Sequence, residues 1–490
     1  IVPCADLEWT PCFDKFSCAR LIVPLDYSDT SVGNTTIAYI KLSAAKQPAQ
    51  DILFNPGGPG GSGVQSVLSS SDRLLQTLGS SYNLIGFDPR SVNNSGPSIS
   101  CFPNDTASET LFSTQFKRPM NSKSRDSVVR QFELTGAWGD WCSQVHQDDH
   151  AKYASTVATA QDLLNYVEKE AVSRGEKAEE AQLWYWGLSY GTVLGATYAS
   201  LFPDRIGRLI LDGVVDSQTY YRGKFGGLGQ SDEAVLSFAK DCQSAGKEKC
   251  SFYSATAEEI ATRMRAVLEN LRNDPVPVTN PAVAPLPILI TYEDLVFTMF
   301  ALTYTPVSGF PLLAQIFSDL EHRDGASLAQ VLQAEPPTGV YYGGLIACMD
   351  MHGAYNISTL EMWEQHIEEV NNKTSWVGDA WSSVALSCRQ MKMVPPASQQ
   401  FHGEPGANQT SFPILFIGNR VDPITPLVEA KKMSTLFKGS ALLTQDSVGH
   451  ASTSSVSECT SHHVQQYLEG YLPPINTTCK VESVPFLTAE

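Results

Sequence analysis

Basic residues are scarce in this chain: 34 Lys and Arg stand against 52 Asp and Glu, a formal charge of −18 over 490 residues. A surface of that sign repels phosphate backbones, and no basic block interrupts it, so nucleic acid is not an expected partner. Long apolar runs are missing too. None reaches the roughly 18–20 residues that span a bilayer, so a membrane-integral protein is not expected. The cysteines do not form Cys-x-x-Cys pairs, which argues against zinc. No G-x-x-x-x-G-K-[ST] loop, H-E-x-x-H or EF-hand loop occurs, and neither metal nor cofactor is expected. The hydrophobic content of 42% excludes wholesale disorder. The length corresponds to about two to four structural units.

Seven Asn-X-Ser/Thr sequons are present, at Asn34, Asn93, Asn104, Asn356, Asn372, Asn408 and Asn476. Together with 11 cysteines they read as a secreted, extracellular, glycosylated protein. With no initiator Met and no leader, Ile1 reads as the start of a processed chain. Pairing sequence neighbours would join Cys12 to Cys18, Cys101 to Cys142, Cys242 to Cys250, Cys348 to Cys388 and Cys459 to Cys479. Cys4 is left over and could displace either of its neighbours, since spacing alone does not fix connectivity.

Between residues 35 and 215, short β-branched runs alternate with helical periodicity. Strands are expected at 35–43, 51–55, 83–87, 183–186 and 208–215, with helices over 64–78, 153–173 and 190–202. That rhythm implies a mostly parallel sheet flanked by helices on both faces. After about residue 217 helical patterns dominate, at 232–245, 256–272, 292–303, 310–320, 326–333 and 359–371. They are broken by the proline-rich stretch 275–287, which reads as an extended linker. Sheet rhythm returns at 413–418 and 440–445 and closes with a helix near 461–471. One α/β core interrupted by a mainly helical insertion accounts for the order.

The string Gly187-Leu188-Ser189-Tyr190-Gly191 lies between an aromatic strand and a helix. That is the setting of a nucleophile elbow, in which flanking glycines allow a sharp turn and lift the serine hydroxyl clear of the sheet. Such a hydroxyl needs a base. His450 follows one late strand and Asp422 the strand before it, so the order Ser189…Asp422…His450 fits a catalytic triad. Asp446 is a rival acid, but it lies too close in sequence to His450 for the usual geometry. The glycine-rich Asn55–Gly63 has two readings. Gly58 to Gly63 matches G-x-G-x-x-G, with Asp88 beyond the next strand as a ribose-binding acid. The other reading is an oxyanion hole, in which backbone N–H groups of Gly57 or Gly58 act with that of Tyr190. The second uses the same Ser189 and is preferred.

These motifs resemble the α/β-hydrolase superfamily, and within it the secreted tripeptidyl/prolyl aminopeptidase-like serine peptidases. The matching text includes WTPC…CARLIVPLDY, NPGGPGGSG, GFDPR, GLSYGTVLGATYA, GLIACMD at 344–350, NRVDPITP and VGHAS. The resemblance implies a triad of Ser189, Asp422 and His450. It also implies a core over 1–216 and 399–490, with a helical cap over 217–398 inserted before the strand that carries Asp422. Family members read D-x-R-G-x-G-x-S after the second core strand, whereas Asp88–Ser95 here lacks both glycines. Asn93 is the residue best able to hold the turn without them. An aminopeptidase also needs an acid for the substrate amine. Asp350, Glu361 and Glu364 are candidates, but a solvated face or structural salt bridge explains each of them better. The expected function is hydrolysis at peptide N-termini through an acyl-enzyme, with a peptide or small acyl compound as substrate. An esterase or lactonase, or a non-catalytic binding protein on the same fold, are the alternatives.

Overall fold

A computed structural model describes residues 1–116, 120–224, 226–334, 340–355 and 357–487. Seven strands precede the insertion: β1 (Thr10–Cys12), β2 (Phe16–Pro24), β3 (Asn34–Leu42), β4 (Asp51–Asn55), β5 (Asn83–Phe87), β6 (Leu183–Leu188) and β7 (Ile206–Asp212). A hairpin of β8 (Val276–Val278) and β9 (Ile288–Ile290) lies within it. β10 (Leu415–Val421), β11 (Ala441–Val448) and β12 (Thr478–Lys480) follow. Ten of these strands form one sheet in the order β1-β2-β3-β5-β4-β6-β7-β10-β11-β12. Pairing is parallel from β5 across to β12 and antiparallel at the β1-β2-β3-β5 end.

The central strands are buried on both faces, so they read as continuous apolar runs. Along β4, Ile52 and Phe54 enter one core with Val67, Trp186 and Tyr467, while Leu53 enters the opposite core with Leu163, Tyr185 and Leu209. Strand β7 leads into the insertion and pairs in parallel with β10, which leaves it. The intervening helices build their own core around Phe238, Met264, Leu295, Phe310, Phe317 and Trp376. No helix among the described residues is long and apolar enough to cross a membrane.

Several features differ from the sequence reading, among them a last strand, β12, beyond the helix near 461–471. The sheet extends through β1 and β2, ahead of residue 35. A helix at Arg125–Val145 arises where no periodicity was apparent. The proline-rich stretch is not wholly a linker, because Val276–Val278 pairs with Ile288–Ile290 and places Pro277 opposite Leu289. A two-stranded ribbon has free edges, which is where a strand tolerates proline's missing N–H.

Disulfides join Cys12–Cys18, Cys101–Cys142, Cys242–Cys250, Cys348–Cys388 and Cys459–Cys479, with Cys4 free. Cys459 and Cys479 also lie close to His463, but sulfurs bonded to each other are not thiolate ligands.

The loop after β5 is held by a buried guanidinium. Arg90 makes a two-point contact with Asp162, Nε to Oδ2 at 2.7 Å and Nη2 to Oδ1 at 2.8 Å. It also donates to the carbonyls of Leu25, Tyr153 and Pro24. Just beyond, Ser91 and Asn93 both adopt left-handed φ, at 65° and 47°. They stand at the two positions where the family pattern has glycine, so the turn persists with strained residues in it.

Candidate active site

Ser189 sits between β6 and the helix Tyr190–Leu201, with φ 55° and ψ −124°. The turn is tight enough to dictate its flanks. A Cβ on Gly187 would lie 2.4 Å from the Gly191 carbonyl oxygen, and one on Gly191 would lie 2.9 Å from that of Asn55. The Ser189 N–H donates to the Asp212 carbonyl at the end of β7, which fixes the turn against the next strand. The Ser189 hydroxyl makes no hydrogen bond to another described residue. It opens onto a cavity of about 590 Å³ lined also by Gly58–Gly61, Tyr190, Gly343, Trp381 and Thr425.

Asp422 follows β10 and is fully buried. Its Oδ1 accepts the N–H groups of Ile424 (3.0 Å) and Thr425 (2.8 Å). Its Oδ2 accepts the Thr425 hydroxyl (2.8 Å) and the Ala451 N–H (3.0 Å). His450 Nδ1 lies 3.1 Å from both carboxylate oxygens. Burial alone would raise the Asp422 pKa. The nearby imidazole and these hydrogen bonds outweigh it and hold the carboxyl below its ordinary value. Asp422 and His450 are therefore brought together, as the sequence order suggested, while no hydrogen bond joins His450 to Ser189. Asp446 is ion-paired with Arg420 at the surface, and only Asp422 of the two contacts the imidazole.

Three residues that the sequence did not single out hold the histidine loop. The Asn419 side-chain amide donates to the Gly449 carbonyl (2.8 Å), the Ala451 carbonyl (2.7 Å) and the Ser454 hydroxyl (3.1 Å). The Asp212 carboxylate accepts the N–H (2.8 Å) and hydroxyl (2.5 Å) of Ser452. Asp212 thus ties the serine turn, through its carbonyl, to the histidine loop, through its side chain. From the insertion, the Tyr304 carbonyl accepts the His450 N–H at 2.9 Å. Only the text LILDGVV and GNRVD around Asp212 and Asn419 could have drawn attention to them, and no motif marks Tyr304.

The glycine-rich loop lies directly against the elbow. A Cβ on Gly57 would fall 2.8 Å from that of Ser189. The Gly57 N–H is occupied, however, donating to Asn55 Oδ1 at 2.9 Å. This removes it from the proposed pair of oxyanion donors, because a donor aimed at its own strand end cannot also face the substrate. The N–H groups of Gly58 and Tyr190 donate to no other described residue and remain available. Asp88 is also occupied, accepting from the Ser62 hydroxyl, the Val64 N–H, and the backbone and side chain of Asn94. A carboxylate with its lone pairs so used has none left for a ribose hydroxyl, and the dinucleotide reading loses its acid.

Of the acids considered for an amine site, Asp350 accepts from the Thr156 N–H (2.7 Å), the Thr156 hydroxyl (2.5 Å) and the Tyr220 hydroxyl (2.7 Å). It docks the helix Val340–Asp350 onto the start of the helix Thr156–Ser173. Glu364 pairs with Arg125, and Glu361 is exposed in the first turn of its helix. None of the three lines the cavity.

The profile of the alpha/beta hydrolase fold family matches residues 52–248, and that of the TAP-like proteins matches residues 373–479. The chain has the α/β-hydrolase fold, and its C-terminal segment is similar to the TAP-like proteins. The serine protease Hip1 of Mycobacterium tuberculosis is 26% identical over 96% of this chain and 91% of its own length. A tripeptidyl aminopeptidase of Streptomyces coelicolor is 25% identical over 98% of this chain and 87% of its own. Carboxylesterase B of Mycobacterium tuberculosis is 23% identical over 94% and 86%. The hydrolase therefore aligns along nearly its whole length with proteins named for peptide and for ester chemistry.

Proposed function

We propose that this hydrolase is a serine peptidase that releases residues or short peptides from peptide N-termini. The observation that carries the proposal is the buried Asp422 carboxylate on His450 Nδ1, in a fold whose strained Ser189 turn opens onto a large cavity. In this reading Ser189 Oγ attacks the scissile carbonyl carbon while His450 takes its proton. The tetrahedral oxyanion is held by the N–H groups of Gly58 and Tyr190. Collapse expels the leaving amine, which takes its proton from the imidazolium. Water activated by His450 then hydrolyses the ester on Ser189. Asp422 keeps the tautomer with a proton on Nδ1 and stabilises the imidazolium.

Residues 217–398 serve as the cap in this reading, since Gly343, Trp381, Val384 and Ser387 complete the cavity wall. Secretion and glycosylation belong to the same proposal. Asn34, Asn93, Asn104, Asn372, Asn408 and Asn476 are all exposed, and Asn356 lies outside the described residues.

Ester cleavage is the second reading, favoured by the apolar character of much of the lining, with Val193, Val215, Tyr220 and Ile424 among it. A panel of chromogenic peptide amides, with free and acetylated N-termini, and simple esters separates the two. The peptidase reading requires Ser189-dependent amide hydrolysis that N-acetylation suppresses. Activity confined to esters and indifferent to N-acetylation would replace it with the esterase, and activity retained in Ser189→Ala would overturn both.

A further inference from the structure

Three acidic or basic side chains line the cavity that holds Ser189: Asp216, Lys224 and Glu429. Their circumstances differ. Lys224 is exposed and can turn to solvent. Asp216 is fully engaged, accepting the N–H groups of Gln218 and Thr219, the Thr219 hydroxyl, and the Lys432 ammonium at 2.6 Å. Glu429 is half-buried and receives a single hydrogen bond among the described residues, from the Asp216 N–H to Oε2 at 2.9 Å. Among the described residues no cation forms an ion pair with it; Lys432 is paired with Asp216. A carboxylate on an enclosed cavity wall with one donor and an open oxygen is under-satisfied, and a ligand that brings N–H donors and positive charge would complete it.

The sequence places this group usefully. Glu429 lies in the first turn of the helix Leu427–Leu436, seven residues after Asp422, and Ile424 and Thr425 between them line the same cavity. The carboxylate therefore belongs to the core segment that supplies Asp422, not to the inserted helices that carry Asp350, Glu361 and Glu364. We infer that Glu429 is the specificity residue that receives a primary ammonium of the substrate, the α-amine in the peptidase reading on which this inference rests.

The surrounding charges agree with that role. Burial, with the neighbouring Asp216 and Asp422 carboxylates, pushes the Glu429 carboxyl up to about 7, and Lys432 offsets this only in part. An arriving ammonium would reverse the shift by stabilising the ionised form.

The test compares wild type with Glu429→Gln, normalised by active-site titration with a fluorophosphonate. Each is assayed on three peptide amides: one with a free α-amine and neutral side chains, its N-acetylated form, and an N-acetylated form with lysine beside the scissile bond. Glutamine still accepts the Asp216 N–H but carries no charge, so folding should survive; a circular dichroism melt checks it. Glu429→Asp, which keeps the charge and withdraws it by one methylene, is the second variant. A charge-assisted hydrogen bond lost on substitution corresponds to roughly a 10- to 100-fold fall in kcat/KM on the free-amine substrate, mainly through KM. The acetylated neutral substrate should change little, and Glu429→Asp should fall between.

If the loss appears only with the lysine substrate, the ammonium is a side chain's and the inference stands with that source. If wild type prefers the free amine and Glu429→Gln keeps the same preference, Glu429 is not the receptor while the peptidase reading survives. If wild type is indifferent to both charged groups, both readings fall.

Discussion

The backbone N–H of His450 donates to the carbonyl of Tyr304 at 2.9 Å, and the two rings meet edge to face with centroids 4.9 Å apart. Tyr304 belongs to the insertion and His450 to a loop beyond β11. The imidazole is thus positioned by three sources at once: the Asp422 carboxylate, the Asn419 amide beneath its loop, and a residue more than a hundred positions upstream.

Replacing Tyr304 with alanine removes the ring contact and leaves the backbone bond. An edge-to-face pair contributes about 0.5–1.5 kcal/mol, so kcat should fall about 2- to 12-fold. The rate of Ser189 modification by a fluorophosphonate should fall in parallel, because that reaction also depends on His450 orientation. An unchanged labelling rate would show that the ring only fills space.

Asn419→Leu preserves shape but strips the Gly449 carbonyl of its donor and takes one donor from the Ala451 carbonyl, which keeps the Ser454 hydroxyl and N–H. An unsatisfied buried acceptor costs about 1–3 kcal/mol. The urea-unfolding free energy should drop by about 1–3 kcal/mol, with a loss of kcat beyond what the fraction unfolded explains. Stability lost without extra loss of kcat would make the clamp purely structural.

Much of this arrangement was legible in the sequence, for identifiable reasons. The parallel strands could be read because burial on both faces makes them continuous apolar runs. The elbow could be read because Gly187 and Gly191 are required by contacts under 3 Å. Asp422 and His450 follow from chain order. What could not be read is carried by backbone atoms. Gly57 and Gly58 look equivalent in sequence, and only the bond from the Gly57 N–H to Asn55 separates them. The Tyr304 carbonyl is likewise an acceptor that any residue would supply. Glu429 has the opposite difficulty, since an acid in a first helical turn is common, and its single donor and cavity position appear only after folding.

Arg90 offers a sharper test of buried charge. Arg90→Met leaves Asp162 buried with only the Tyr27 hydroxyl at 2.8 Å, and the carbonyls of Pro24, Leu25 and Tyr153 each lose a donor, although Leu25 keeps the Gln399 amide at 2.6 Å. Removing one partner of a buried ion pair costs about 3–5 kcal/mol. The double substitution Arg90→Met with Asp162→Leu should lose less than the sum of the single losses. Urea denaturation of the four proteins in the cycle measures this, and strict additivity would mean the pair is not coupled.

Several buried carboxyls make stability depend on pH in an unusual sense. Burial pushes Glu429 and Glu170 up to about 7, and Asp212 and Asp350 up to about 6. A carboxyl raised in the folded state binds its proton more tightly there than in the unfolded chain. Its contribution is full below the unfolded value, near 4 to 4.5, and is lost as pH rises through 6 to 7. Asp422 and Asp216 are shifted the other way, down; their contribution is present above about 3.9 and fades only in stronger acid. His366 and His463, both held below their ordinary value by burial, oppose the trend by resisting protonation as pH falls. The raised carboxyls outnumber these two, and acidification also relieves the repulsion of a chain at −18. The melting temperature should therefore be higher at pH 5 than at pH 7.5 and decline again below about pH 4. Glu429→Gln should narrow the difference by raising the melting temperature at pH 7.5, where the native carboxylate is charged and half-buried with one hydrogen bond. That gain would measure the stability forgone by keeping an ionisable group on the cavity wall. An equal melting temperature for wild type and variant at pH 7.5 would mean that water already solvates Glu429 and that its charge costs the fold nothing.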